Sequence, residues 1–229
     1  MVLKKYNIPP DEMKKINMRI RENIKPFATK MERNKPEKVL TLPHSGLDDK
    51  NLIRRLKAKL LQLIDRGSRS RLVREVTKTI IRGYGVKPKD YINELAAVSH
   101  WVQFNIRYTL DKGEMFQSAP RQLYDWFKKR DGSDCDCVAI LVSAMMKSVG
   151  HGAGIALVDS KGGGQINHAM ALVRLPKAEK TYKGKWILVE LTERFVPEKF
   201  NKSGEKKRIL PGWRSPAITL VSVAKLKKG

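Results

Sequence analysis

Gly132-Ser133-Asp134-Cys135-Asp136-Cys137-Val138-Ala139-Ile140 is a polar turn that delivers a cysteine to the first turn of a helix. Beyond it Val138, Ala139, Ile140, Leu141, Val142, Ala144, Met145, Met146 and Val149 are apolar nearly all round, the pattern of a helix inside a core. Asp134 is a good N-cap and Gly150 is placed to stop the helix. A thiol at a helix N-terminus feels the positive end of the macrodipole and the unpaired N–H groups, both of which favour the nucleophilic thiolate. The competing reading is packing, because cysteine beside a core helix is commonly a small buried hydrophobe. Partners elsewhere in the chain must decide between the two.

The chain has 229 residues, 41% of them hydrophobic, enough for one sizeable domain with an appendage. Its formal charge is +24, with a sequence pI of about 10.1. Such basicity implies a polyanionic partner, whether nucleic acid, an acidic protein surface or anionic lipid, or else a lysine-rich solvated surface. The two cysteines are Cys135 and Cys137. Positions i and i+2 at a helix start do not face one another, so a structural disulfide is not expected, and the usage suits a reducing compartment. The first ten residues carry no apolar h-region, and no run reaches the roughly 18 apolar residues of a membrane span. A cytoplasmic protein is the expectation.

Working outward, residues 1–45 are polar and basic with prolines at 9, 10, 26, 36 and 43, and read as a basic, extended arm with helical fragments between residues 11 and 23. Residues 46–88 read as a basic helical hairpin. Leu52, Ile53, Leu56, Leu60, Leu63 and Ile64 form one stripe, Gly67 breaks the helix, and Leu72, Val73, Val76 and Ile80 mark the second. Residues 89–229 hold the remaining domain. A helix from about residue 90 to 105 is followed by a short extended segment, 106–109. Another helix opens at Ser118-Ala119-Pro120. After the central helix the period changes to two, predicting strands at 153–158, 168–175, 186–192 and 217–223, with 168–175 and 186–192 antiparallel across a Lys183-Gly184-Lys185 turn. Helices followed by strands describe an α+β domain.

A cysteine nucleophile needs a base, and the base an orienting acceptor. Of four histidines, His151 follows the central helix and, at about 1.5 Å rise per residue, lies over about 20 Å from Cys135. His100, in a helix between Ser99 and Trp101, reads as packing or surface. His44 has no visible partner. His168 opens a strand after the Gly162-Gly163-Gly164 run, and Glu190 interrupts an otherwise apolar neighbouring strand. Pairing of the two strands would bring that carboxylate to the imidazole, where contact at Nδ1 would fix the tautomer and favour the imidazolium. The alternative for Glu190 is the solvent face of an edge strand.

Residues 91–192 resemble the transglutaminase-like (transglutaminase core) domain of the papain-like cysteine enzyme superfamily. The resemblance lies in Trp101-Val102-Gln103-Phe104-Asn105-Ile106-Arg107-Tyr108, in Ser118-Ala119-Pro120, and in Gly132-Ser133-Asp134-Cys135-Asp136 running into an apolar helix. It continues in Asn167-His168-Ala169 at a strand start and Trp186-Ile187-Leu188-Val189-Glu190 on the next strand. It implies a papain-like core, a buried helix bearing the cysteine packed on an antiparallel sheet. Within it Cys135 is implied as the nucleophile, His168 as its base and Glu190 as the third member of a triad. The family usually has Asp in place of Glu190 and commonly an acidic residue where this chain has Cys137, which offers instead a resolving thiol or competing nucleophile. The Cys135 amide is the natural first oxyanion donor; the second is not assigned.

The resemblance implies attack on a peptide or carboxamide carbonyl through a thioester, with water or an amine as acceptor; no cofactor or metal is expected. A zinc site from Cys135, Cys137 and His168 lacks the usual Cys-x2–4-Cys spacing and a fourth ligand. The alternative function is an inactive fold serving as a basic structural or virion-associated binding protein. The layout, a basic helical front before such a domain, is similar to transglutaminase-like proteins encoded among phage or archaeal virus structural genes. A polyanion would meet Arg54, Arg55, Lys57 and Lys59; no motif for reading DNA sequence is present.

Overall fold

The computed structural model describes residues 8–33, 40–42, 50–109, 114–130, 132–158, 168–179, 184–191 and 219–222. Among the described residues six helices and six strands follow one another as α1 (Pro10–Arg33), β1 (Leu40–Leu42), α2 (Lys50–Ser68), α3 (Arg71–Gly83), α4 (Tyr91–Asn105), β2 (Glu114–Phe116), α5 (Ala119–Phe127), α6 (Cys135–Ser148), β3 (Gly152–Val158), β4 (His168–Glu179), β5 (Gly184–Glu190) and β6 (Thr219–Ser222). Helices first and a sheet after make the architecture α+β.

The centre is α6. Val138 through Met146 are buried on every side, because β3 and β4 cover one face of the helix while α2, α3, α4 and α5 cover the others. Ser143 Oγ donates to the Gly154 carbonyl at 2.7 Å, tying this helix to the sheet through a buried hydroxyl. Gly150 at φ +99° takes the left-handed conformation that turns the chain from α6 into β3. The sheet is antiparallel throughout, in the order β3-β4-β5-β6. Ala171 pairs with Val189, and Glu190 with Thr219, so β5 is an interior strand. A second, two-stranded sheet pairs β1 with β2.

One expectation for the front of the chain is corrected. Residues 10–33, read as part of an extended arm, form one 24-residue helix. Met13, Ile16, Ile20, Ile24 and Ala28 recur every three to four residues and are all at least 96% buried against the rest of the protein. Each large side chain in that stripe gains about 1.5–3 kcal/mol on burial, which outweighs the roughly 3 kcal/mol that Pro26 costs inside a helix. Arg21 fastens the helix further, donating from Nη1 to the Phe127 carbonyl at 2.8 Å and lying 4.6 Å from the Trp126 ring centroid.

The first basic helix ends one residue past Gly67, and the second begins at Arg71, as the hairpin reading expects. Helix α2 runs through Gly67 to Ser68, because the glycine is a packing residue. A Cβ there would stand 3.0 Å from the Ala144 Cβ of α6 and 3.1 Å from the Ala119 Cβ of α5. Across the same crossing Lys147 reaches Asp65 at 2.8 Å. Helices α1 to α6 and the inner sheet face share one contiguous core.

Candidate active site

The nucleophile candidate is fixed by the backbone on both sides of it. Asp134, extended at φ −88°, ψ −168°, caps α6 by accepting from the Cys137 amide at 3.2 Å. Just before it Ser133 donates its amide to the Arg107 carbonyl and accepts from the Thr109 amide, both at 3.0 Å. The extended segment after α4 is thereby laid alongside the turn. Cys135 emerges from these contacts half-buried at the first position of the helix. The first bond within the helix runs from Val138 N to Asp134 O. The Cys135 and Asp136 amides lie ahead of it at the positive end of the dipole.

A buried polar hub stands behind the turn. Gln122 on α5, 2% exposed, donates through Nε2 to the Cys137 carbonyl at 2.8 Å and to the Gln117 carbonyl at 3.1 Å. Its Oε1 accepts from Ser133 Oγ at 3.3 Å. One amide thus joins the turn before the nucleophile, the first turn of α6 and the strand-to-helix connection at Gln117. The sequence reading passed over this residue. Its signal was position: Ala119, Gln122, Leu123 and Trp126 follow helical spacing, so a polar side chain sits in an apolar stripe.

His168 and Glu190 are both buried, 8% and 2% exposed. His168 opens β4 opposite Val158, and the β4–β5 register sets Glu190 diagonally across from it. Their side chains meet at 2.5 Å, Nε2 against Oε2, while Glu190 Oε1 accepts from the Leu191 amide at 2.9 Å. The carboxylate therefore holds Nε2 rather than Nδ1, and it does so from an interior strand rather than the solvent face of an edge. His168 also shares a hydrogen bond with Cys135. Burial opposes charge on the imidazole, but the hydrogen bonds from Cys135 and Glu190 and their negative charge prevail and raise it to about 10.

Cys137 is placed for neither exchange nor attack. It is 2% exposed, its Sγ accepts from the Gln117 amide at 3.3 Å, and burial together with the charges of Asp136 and Asp134 pushes its thiol well above the ordinary range. The zinc set of Cys135, Cys137 and His168 is not the grouping that forms. Among the described residues, donor atoms close enough to share an ion belong to Asp134, Asp136 and Cys137, all within 4.8 Å of one another.

The other histidines have separate partners. His100 Nδ1 meets the Tyr84 hydroxyl at 2.7 Å, and burial pushes its imidazole down, toward the neutral form. His151 Nε2 lies 2.8 Å from Glu94 Oε2. His44 and the glycine run 162–164 lie outside the described residues, as does Asn167. Arg54, Arg55 and Lys57 are exposed on α2, with Lys59 half-buried. No helix among the described residues is long and apolar enough to cross a membrane.

Comparison with known proteins finds no matching family model, no matching curated protein and no matching solved structure.

Proposed function

We propose that the chain is a cysteine-dependent acyl-transfer enzyme of transglutaminase-like type, acting on a peptide or carboxamide carbonyl. The observation that carries this reading is the buried His168, bonded both to Cys135 and to Glu190. The thiolate of Cys135 adds to the carbonyl carbon, and the developing oxyanion is met by the Cys135 amide at the helix N-terminus. The C–N bond then breaks as the imidazolium of His168 protonates the leaving nitrogen, giving a thioester and a neutral imidazole. Water or an amine, losing its proton to that imidazole, attacks the thioester and expels the thiolate. Glu190 keeps the ring oriented and its cation stabilised through both halves.

Alkylation of Cys135 by iodoacetamide across pH, in a Cys137→Ser background, tests the dyad. The expected result is a thiol that is alkylated at neutral pH, with that reactivity lost in His168→Ala. An ordinary thiol indifferent to His168 would overturn it.

A second reading, a basic scaffold binding a polyanion, is favoured by the exposed Arg54, Arg55 and Lys57 on α2. Binding through these side chains would weaken steeply as salt rises. Affinity for nucleic acid that is flat with salt, or unchanged when the three are replaced by Ala, would count against it.

A further inference from the structure

Three negative charges would crowd the start of α6 if every acidic group there were ionised: Asp134, the Cys135 thiolate and Asp136. Asp134 has a clear reason to be charged, since it caps the helix at the positive end of its dipole. Asp136 has none. It is 6% exposed, and its Oδ1 is buried without a hydrogen-bond partner. The groups acting on its carboxyl are Asp134, Cys135 and Cys137, an acid and two thiols. Among the described residues no Lys, Arg or His forms an ion pair with it. From the sheet, the titratable group facing this end of α6 is His168, which is engaged by Cys135 and Glu190. From α5 and the Gln117 connection the neutral Gln122 side chain and Gln117 amide bond to Cys137 and Ser133, while the charged Arg121 and Asp125 of α5 pair with each other. A buried carboxylate without cation or N–H donors is far more costly than the neutral acid.

We propose that Asp136 is an un-ionised carboxylic acid in the folded protein, donating its proton to Asp134. Cys135 thus emerges beside one negative charge rather than two. The 4.8 Å cluster of Asp134, Asp136 and Cys137 donor atoms is then a proton-sharing group rather than a bare anionic site. Burial comes first among the causes, followed by the hydrogen bond and charge of Asp134, and together they raise Asp136 to about 10. Asp136 makes no bond to a substrate in this account. It acts through the nucleophile, as a positioning residue for charge, and its protonation stands or falls independently of whether Cys135 turns over a substrate.

The sign of the linked stability follows. The folded protein keeps the Asp136 proton that the unfolded chain gives up above its ordinary value of 3.8. Stability contributed by the neutral acid is therefore full below about 4 and lost progressively as pH rises toward about 10. Asp136→Asn, which has the shape of the neutral acid and no proton to lose, removes that dependence. Denaturant unfolding between pH 5 and 8, with and without the substitution and in a Cys135→Ala background, isolates it from the catalytic reading. The unfolding constant of the Asp136 protein is expected to gain about tenfold per pH unit relative to the Asn variant, the slope of one proton. A ratio that stays constant with pH would overturn the proposal. Infrared spectroscopy of the folded Asp136 protein at pH 7 gives a readout that survives if the Asn variant does not fold. The carbonyl stretch of an un-ionised carboxyl is expected, and a spectrum without one overturns the assignment. Titration with zinc that binds one ion and releases a proton, lost in Asp136→Asn, would make the cluster a metal site and overturn it as well.

Discussion

Glu190 Oε2 lies 2.5 Å from His168 Nε2, and the second oxygen of the carboxylate is held by the amide of the next residue. Neither oxygen is left to turn toward solvent, so the imidazole has one orientation. Glu190→Gln keeps the shape and removes the charge that supports the imidazolium. The raised value of about 10 should then fall, because the hydrogen bond and charge of Glu190 are lost while burial still opposes the cation and Cys135 alone is left to support it. The alkaline limb of Cys135 reactivity moves down with it, and turnover drops by about 100-fold or more. Stability shows the same sign: the contribution from charged His168 is complete below about 6.5 and lost as pH rises through about 10. Following the His168 ring by NMR across pH checks both, and a midpoint that is ordinary before the substitution contradicts the prediction.

Gln122 governs the nucleophile from behind. In Gln122→Ala the Gln117 and Cys137 carbonyls and the Ser133 hydroxyl lose a buried partner, at about 1–3 kcal/mol for each group left unsatisfied. Chemical denaturation should register the loss, and Cys137 should become open to alkylation in the folded state. Ser133→Ala removes a single contact and should cost about 1 kcal/mol while leaving Cys137 protected.

Gly67→Ala is expected to destabilise the protein even though alanine is the better helix former by about 1 kcal/mol. The added methyl meets two other methyls at 3.0 and 3.1 Å, both carried on helix backbone that cannot rotate away. Overpacking of this kind costs about 1–3 kcal/mol, so the net change is a loss. A rise in the unfolding midpoint would show that α2 can shift without penalty.

Helix α1 contributes to the core rather than trailing from it. Ile20→Ala empties a fully buried position and should cost about 2–5 kcal/mol, whereas Met18→Ala, at 55% exposure, should fall within about 0.5 kcal/mol of no change. Equal effects from the two substitutions would mean that α1 is not docked in solution.

The elements that carry the site could be read from local pattern because each announces itself over a few residues. Asp134 and Gly150 bracket α6, and the change to alternating residues marks β3 to β5. Glu190 was conspicuous as a charge in an apolar strand, but its interior position depends on β6, which pairs with β5 from 29 residues further along. The ring nitrogen it holds depends on side-chain rotation, which no spacing encodes. Helix α1 was obscured by Pro26, since local propensity argues against a helix there and only the distant surfaces of α3 and α5 repay it. Gly67 marked the end of α2, but its second role as a packing residue depends on the facing alanines, which no local pattern shows.

The inward anchoring of Cys137 bears on how the protein would withstand oxidants. Were Cys135 oxidised to a sulfenic acid, the neighbouring thiol could not close a disulfide upon it, being protonated and fastened to Gln117 on another side of the helix. Repair would fall to a thiol from outside, small enough to reach a half-buried sulfur. Without one, further oxidation to sulfinic acid would be irreversible by ordinary thiol exchange. The second cysteine of this helix secures the architecture of the site and leaves its redox protection to the surroundings.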